Sequence, residues 1–130
     1  MARKTSAPSM PPISEQMKAW SSALAAEIGD WPQVSQKVFF GFTALYRGKK
    51  MFGLLPRTRS IETRNAIAFP LDSPKRLVRE RLGSDCRIGS IDQNNKRWFT
   101  FELSSDSDLH DALNWLGDAY DAARAKKKSG

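Results

Sequence analysis

The sequence predicts an α+β domain, a two-layer sandwich in which helices cover one face of an antiparallel sheet of about five strands. Apolar residues repeat at helical spacing near both ends of the chain and at the two-residue spacing of strands between them. Short polar turns separate neighbouring strands, which is typical of hairpins and therefore of antiparallel pairing. A chain of 130 residues can bury one hydrophobic core without disulfide or metal support. The predicted element order is α-β-β-β-α-β-β-α.

The first helix is predicted over residues 13–28. Its apolar face repeats every three or four residues and consists of Ile13, Met17, Trp20, Leu24 and Ile28. Ser14 is the expected N-cap, because its hydroxyl oxygen can accept a backbone N–H of the first turn. Gly29 is the expected left-handed C-cap, since glycine adopts positive φ without steric cost.

Three strands are predicted next. Residues 37–46 alternate with apolar groups on both faces, which predicts a single strand in the centre of the sheet. The turn Arg47-Gly48-Lys49 leads into a second strand over residues 50–55, and the two form a hairpin. A polar loop over residues 56–63 precedes a third strand over residues 65–71, which ends near Pro70.

The second helix is predicted to start at Ser73-Pro74, because a serine cap followed by proline at the first helical position favours initiation. We expect it to run to Leu82 with Gly83 as its cap. Its inward-facing residues are predicted to be Leu77, Val78 and Leu82.

A second hairpin and a final helix complete the predicted domain. Residues 87–91 and 97–103 pair across a polar turn, with Phe99 and Phe101 on one face and Trp98 on the other. Residues 109–123 carry an apolar stripe of four helical turns, and Asp106 and Asp108 are placed near the positive end of its dipole. We expect residues 1–12 to be a flexible arm, residues 13–124 a single domain and residues 125–130 a basic tail.

Composition excludes several classes of protein. The single cysteine predicts no disulfide framework, and no apolar stretch reaches the roughly 18 residues of a membrane-spanning helix. The first 12 residues lack the apolar core of a secretory signal. We therefore expect a protein of the reducing cytoplasm.

The side chains that carry catalysis are scarce. With one histidine and one cysteine, and without a phosphate-binding loop, a dinucleotide fingerprint or a nucleophile elbow, we expect a non-enzymatic protein with no metal and no cofactor. His110 is interpreted as an exposed helical residue and Cys86 as a small packed one. The aspartates of the last helix suit dipole and surface roles better than a metal site; they are Asp106, Asp108, Asp111 and Asp118.

The charge is concentrated in the middle of the chain. The formal net charge is +7, and residues 37–81 hold 11 basic and three acidic side chains. Basic groups in such a concentration favour an anionic partner, because they neutralise phosphates and release counterions. The candidate contacts are Arg47, Lys49, Lys50, Arg57, Arg59, Arg64, Lys75, Arg76, Lys96, Arg97 and Trp98.

Trp98 is included because an aromatic ring that directly follows two cations could stack on a nucleobase. The preferred hypothesis is a small binding domain for an anionic partner, with nucleic acid as the leading candidate. The alternative is a protein-interaction or homodimerisation module that buries Trp98 and the sheet face, with the basic groups serving solubility. A third hypothesis, an enzyme for a phosphorylated or carboxylated small molecule held by Arg57 and Arg59, has no visible base and nucleophile pair.

Two segments resemble known families. The segment with Phe40-Gly41, Tyr46, Gly48, Met51 and Phe52 is similar to the signature of TfoX N-terminal domains. The segment with Lys96, Trp98, Leu103, Leu109, Leu116 and Tyr120 resembles the closing part of YjbR (MmcQ-like) domains. The stretch of residues 67–98 is also similar to small bacterial luciferase-related domains. The resemblance implies an α+β domain with an antiparallel sheet, a bacterial origin and a DNA-linked role, and it supplies no catalytic residues.

Overall fold

The computed structural model describes residues 13–59, 65–71, 76–90 and 98–123. The elements in chain order are α1 (Glu15–Ile28), β1 (Val34–Phe39), β2 (Phe42–Arg47), β3 (Lys50–Pro56), β4 (Ala66–Pro70), α2 (Arg76–Ser84), β5 (Ile88–Ser90), β6 (Trp98–Glu102) and α3 (Asp108–Ala122). The six strands form one antiparallel sheet in the order β1-β2-β3-β4-β6-β5. The predicted α+β class and antiparallel sheet are confirmed, with one strand more than expected.

The additional strand comes from a turn inside the segment predicted as a single central strand. Phe39 pairs with Phe42, so Phe40 and Gly41 form a two-residue hairpin loop between β1 and β2. Both loop residues have positive φ, 49° for Phe40 and 87° for Gly41, as a type I′ turn requires. The prediction of one strand over residues 37–46 was therefore wrong, and β1 lies at the edge of the sheet rather than at its centre.

The hydrophobic core lies between the sheet and the helices α1 and α3. Strand alternation directs one set of side chains toward these helices, and the set is Leu45, Leu55, Ile67, Phe69, Phe101 and Leu103. The helices bury their apolar stripes against it, with Met17, Trp20, Leu24 and Ile28 from α1 and Ala112, Trp115, Leu116 and Ala119 from α3. These four α1 residues were predicted correctly, and Ile13, also predicted, is buried but precedes the N-cap of the helix.

The helix ends depart in part from the predictions. Ser14 Oγ accepts the backbone N–H of Met17 at 3.1 Å and caps α1 as expected. Gly29 follows α1 with φ −58°, so it is not a left-handed cap. Helix α2 continues through Gly83 to Ser84, and Leu77 is 73% exposed instead of inward-facing. The short α2 contacts α3 through Arg81, and it buries only Leu82 among its residues.

Candidate anion-binding site

Five of the six predicted basic residues in the described part of the chain lie at the two opposite ends of β3. Lys50 begins this strand and Arg57 follows it directly, so they are seven residue steps of extended chain apart, which is about 23 Å. Arg47, Lys49 and Lys50 surround the β2–β3 turn, whereas Arg57 and Arg59 lie near the Phe40-Gly41 turn. These residues therefore do not form one continuous patch.

Arg47 is engaged within the protein. Its Nη1 donates to the backbone carbonyl of Tyr120 at 3.0 Å, and its guanidinium carbon lies 4.0 Å from the centroid of the Tyr120 ring. Tyr120 lies in the last turn of α3, where a cation stabilises the negative end of the helix dipole. Arg47 consequently has a structural role at the end of α3.

Lys50 and Trp98 come together at the same end of the sheet. They line a shallow cavity of about 270 Å³ with Met51, Pro70 and the alanines at the end of α3. Trp98 is half-buried there, and its backbone pairs with Pro70 of β4. Lys50 is the single cation among the lining residues, and the cavity is therefore less suited to an anion than the basic sequence around Lys50 and Trp98 predicts.

The remaining predicted contacts are distributed elsewhere. Arg76 begins the described part of α2 and forms an exposed ion pair with Glu80 at 3.2 Å. Arg64, Lys75, Lys96 and Arg97 lie outside the described residues, as do the predicted N-terminal arm and basic tail.

A second cavity, of about 380 Å³ and lined by more polar residue types, lies between α1 and the Phe40-Gly41 end of the sheet, and we name it the α1–β3 cavity. Its lining residues are Lys18, Ser21, Ser22 and Ala25 from α1, Thr43 from β2, and Pro56, Arg57 and Thr58 at the end of β3. Two of these side chains are cations and four are hydroxyls, and none of the lining residues carries a carboxylate. This combination of donors fits an oxyanion.

Ser21 lines the α1–β3 cavity, but its hydroxyl oxygen is buried and does not reach the open space. Its residue is only 7% exposed, yet its Oγ has no hydrogen-bond partner. Among the residues that the structure describes, no other buried side-chain oxygen or nitrogen lacks a partner. An unsatisfied buried hydroxyl destabilises a protein by roughly 1–3 kcal/mol, so its retention calls for a physical reason.

The backbone around Gly41 holds the two arginines of this end in place. The Gly41 carbonyl accepts the N–H groups of Arg57, Thr58 and Arg59 at 3.0, 2.9 and 3.2 Å. A Cβ atom at Gly41 would lie 2.7 Å from Cγ of Arg59 and 3.1 Å from Oγ1 of Thr58. Position 41 therefore requires glycine for two reasons. The turn needs a left-handed φ, and the chain that follows β3 approaches too closely to leave room for a Cβ atom.

Lys18 is the cation of the α1–β3 cavity that the sequence analysis did not single out. Its Nζ lies 3.3 Å from Oε2 of Glu15 in a pair whose side chains are 50% and 90% exposed. Such an exposed pair contributes little and leaves the ammonium able to turn toward an anion. A lone lysine on a polar helix face gives no signal in sequence, because its proximity to Arg57 comes only from the packing of α1 on the sheet.

No family model, curated protein or solved structure matches this chain. The site must therefore be interpreted from its own geometry. Within the described residues, no helix has both the length and the apolarity needed to cross a membrane. The same part of the chain holds no cluster of three or more histidine, cysteine, aspartate or glutamate side chains suited to a metal ion.

A third cavity, of about 490 Å³, lies between α2 and α3 and contains an ionic cluster centred on Arg87. The Arg87 guanidinium donates to Asp85 at 2.9 and 3.0 Å, to Asp108 at 2.7 Å and to Asp111 at 3.0 Å, and it lies 4.5 Å from the centroid of the Phe101 ring. These contacts join the start of β5 to the first turn of α3. Three carboxylates share one cation, so this cluster is unsuited to an anion and its role is structural.

The cluster also shifts the acidities of its members. The side-chain hydrogen bond from Arg87 lowers the pKa of Asp85 below its usual value. The backbone N–H of Ser104, aided by Arg87, lowers the pKa of Asp108. Hydrogen bonding to Asp85 in turn raises the pKa of Arg87. The aspartates of α3 were expected to have dipole and surface roles, and the ion pairs of Asp108 and Asp111 with Arg87 were not predicted from sequence.

Proposed function

We propose that this domain is a non-enzymatic binding module for a phosphate-bearing partner, and that the α1–β3 cavity holds the phosphate. The observation that carries the proposal is the lining of that cavity, where Lys18 and Arg57 occur with the hydroxyl-bearing residues Ser22, Thr43 and Thr58 and no lining residue carries a carboxylate. Two cations offset the charge of a phosphate, and hydroxyl groups rotate to donate hydrogen bonds to its oxygens.

We favour nucleic acid as the partner, because its backbone carries a phosphate at every nucleotide. Arg59 is exposed next to Arg57 and can meet a second phosphate of the same strand. The arginine guanidinium recognises phosphate with paired hydrogen bonds, whereas lysine acts as a compact charge. The basic residues that we propose as contacts are Lys18, Arg57 and Arg59. This set is smaller than the set of candidate contacts predicted from the sequence.

The test is a titration with inorganic phosphate and with a short labelled oligonucleotide, followed by calorimetry and by fluorescence anisotropy at two salt concentrations. Arg57→Gln is expected to weaken both ligands about tenfold, because it removes charge-assisted hydrogen bonds. Lys49→Gln is the matched control, since it removes one exposed positive charge from the opposite end of β3. Equal weakening by the two variants would overturn the proposal in favour of unspecific attraction to net charge.

A homodimer that buries the sheet face is the second candidate. The side chains that would form the centre of such an interface are small and already inaccessible within one chain, with Ala44, Ala66 and Ala68 fully buried and Thr100 at 3%. They offer no area to a second subunit, which disfavours this candidate at the centre of the sheet. Light scattering on the sample used for titration tests it, because a stable dimer doubles the measured mass.

We further propose a cytoplasmic setting and distant kinship with TfoX and YjbR domains. The single exposed Cys86 and the absence of a membrane-spanning helix in the described residues fit the first. An antiparallel sheet with helices on one face is the architecture that the resemblance implies, which supports the second.

A further inference from the structure

The chain that follows β3 connects the β1–β2 turn to the start of α1. In the turn, the carbonyl oxygen of Gly41 accepts the three backbone N–H groups of residues 57–59 at 3.0, 2.9 and 3.2 Å. The carbonyl oxygen of Thr58 in turn accepts the backbone N–H of Ile13 at 3.2 Å. We name residues 57–59 the linking segment, because its backbone hydrogen bonds join two elements that are distant in sequence.

The linking segment connects the two cations that line the α1–β3 cavity. Arg57 belongs to the segment itself, and Lys18 lies in α1, which begins two residues after Ile13. Ser14, between Ile13 and the helix, caps α1 by accepting a backbone N–H at 3.1 Å. The hydrogen bond between Ile13 and Thr58 therefore acts where α1 begins, and it couples the position of Lys18 to that of Arg57.

The hydrogen bonds of the linking segment also determine how an anion can be held. Successive backbone N–H groups can form a concave site for an anion. In this chain, those of residues 57–59 converge on the Gly41 carbonyl oxygen instead. A phosphate in the α1–β3 cavity is consequently held by side chains rather than by these amides. Its affinity then depends on where the segment places the side chains of Arg57 and Thr58.

Glycine at position 41 leaves room for the linking segment. Its φ is 87°, and a Cβ atom there would lie 2.7 Å from Cγ and 3.3 Å from Cβ of Arg59, and 3.1 Å from Oγ1 of Thr58. These atoms are one or two bonds from the backbone, so an added Cβ displaces the segment itself. Gly48 in the β2–β3 turn has a similar φ of 62°, but no heavy atom of the described residues lies within 4 Å of a Cβ there.

We propose that Gly41 is a positioning residue of the phosphate site, and that the β1–β2 turn sets, through the linking segment, where Arg57 and Thr58 hold the anion. This inference rests on the proposed function, because it requires a phosphate in the α1–β3 cavity. It adds to the site a residue that has no side chain and acts through its neighbours. It also assigns recognition by the linking segment to side chains alone.

Calorimetry with inorganic phosphate compares the full-length chain with Gly41→Ala and with Gly48→Ala, the matched control. Both substitutions introduce a side chain at positive φ, but only the first displaces the linking segment. Gly41→Ala is expected to weaken phosphate binding about fivefold, whereas Gly48→Ala is expected to bind within about twofold of the unaltered protein. Because Gly41 acts through Arg57, the double variant Gly41→Ala/Arg57→Gln is expected to bind no more weakly than Arg57→Gln alone.

Hydrogen exchange on the unaltered protein tests the proposal without requiring that Gly41→Ala fold. Phosphate at about twice its dissociation constant is expected to slow amide exchange of residues 57–59 and of Ile13 about threefold, because opening of the linking segment then requires release of the ligand. The amide of Gly48, which donates to the Gln33 carbonyl oxygen at 3.0 Å, is expected to exchange at an unchanged rate.

The outcomes separate the two proposals. If phosphate binding depends on Arg57 but Gly41→Ala binds no more weakly than Gly48→Ala, the phosphate site stands and the positioning role is overturned. Additive effects of Gly41→Ala and Arg57→Gln, or unchanged exchange of residues 57–59 in phosphate, also overturn that role. If inorganic phosphate fails to bind the unaltered protein, or binds without dependence on Arg57, the proposed function itself is overturned.

Discussion

Replacing Phe40 by asparagine is expected to make the folded domain more stable. A residue other than glycine or asparagine in the left-handed region is destabilised by about 1–2 kcal/mol, and Asn-Gly is the favoured pair in a type I′ turn. The opposing contribution is small because the ring is 83% exposed. The buried sixth of a side chain of about 200 Å² is roughly 35 Å², which contributes about 0.9 kcal/mol at 25 cal/mol/Å². The net expectation is a gain of about 0.5 kcal/mol.

Urea unfolding of the variant and the unaltered protein, followed by circular dichroism, measures this difference. Leu77→Asn is the matched control, because it also removes an exposed apolar side chain but relieves no backbone strain. It is expected to lower stability by about 0.5–1 kcal/mol through reduced helix propensity and lost contacts. The two variants should therefore shift the midpoint in opposite directions. A loss of stability in Phe40→Asn as large as that in Leu77→Asn would refute the strain argument.

Further consequences can be measured in the same unfolding assay. Arg87→Met leaves three carboxylates unpaired and is expected to lower stability by about 2 kcal/mol, less than for a fully buried pair because the side chains are partly exposed. Since the pKa values of Asp85 and Asp108 are lowered in the folded state, their contribution is present above about pH 4 and lost as the pH falls through the lowered values. A pH series should show this loss in the unaltered protein and a flatter profile in Arg87→Met. Ser21→Ala removes an unsatisfied buried hydroxyl and should raise stability by about 0.5–1 kcal/mol. Ser14→Ala removes the N-cap of α1 and should lower stability by about 1 kcal/mol.

Much of the fold follows from periodicity alone. The apolar stripe of α1, the second hairpin and α3 were predicted from the sequence. In each of these segments apolar residues repeat at a regular spacing, and the repeat stops at the ends of the element. The β1–β2 turn was missed because its loop begins with Phe40, which continues the alternation of the flanking strands. Only Gly41 marks the turn in sequence, and a glycine inside a strand pattern also fits a bulge.

The candidate site was predictable only in part. Arg57 and Arg59 were identified because they form a basic cluster in sequence. Lys18 and Ser21 belong to the polar side of a helix, and nothing in sequence places that side against the end of β3. Arg47, in contrast, has the charge expected of an anion contact but is engaged at the end of α3. Net charge in the sequence therefore does not by itself identify the contact residues.

The stability of this domain is reduced where binding is proposed. Phe40 is strained and exposed, and Ser21 is buried without a partner, both at the same end of the sheet. Elsewhere in the described chain, buried polar side chains are satisfied. Binding sites commonly retain residues that lower stability, and substitutions there often stabilise the fold and weaken function together.

The location of a bound phosphate tests the central claim most directly. Inorganic phosphate titrated into isotopically labelled protein, with backbone amide resonances recorded by NMR, reports which residues contact the anion. If the α1–β3 cavity holds the phosphate, the shifts are confined to residues 18–22 of α1 and to Thr43, Arg57 and Thr58, and Lys49 and Lys50 are unaffected. Shifts centred on the β2–β3 turn, or no shifts at all, would contradict it.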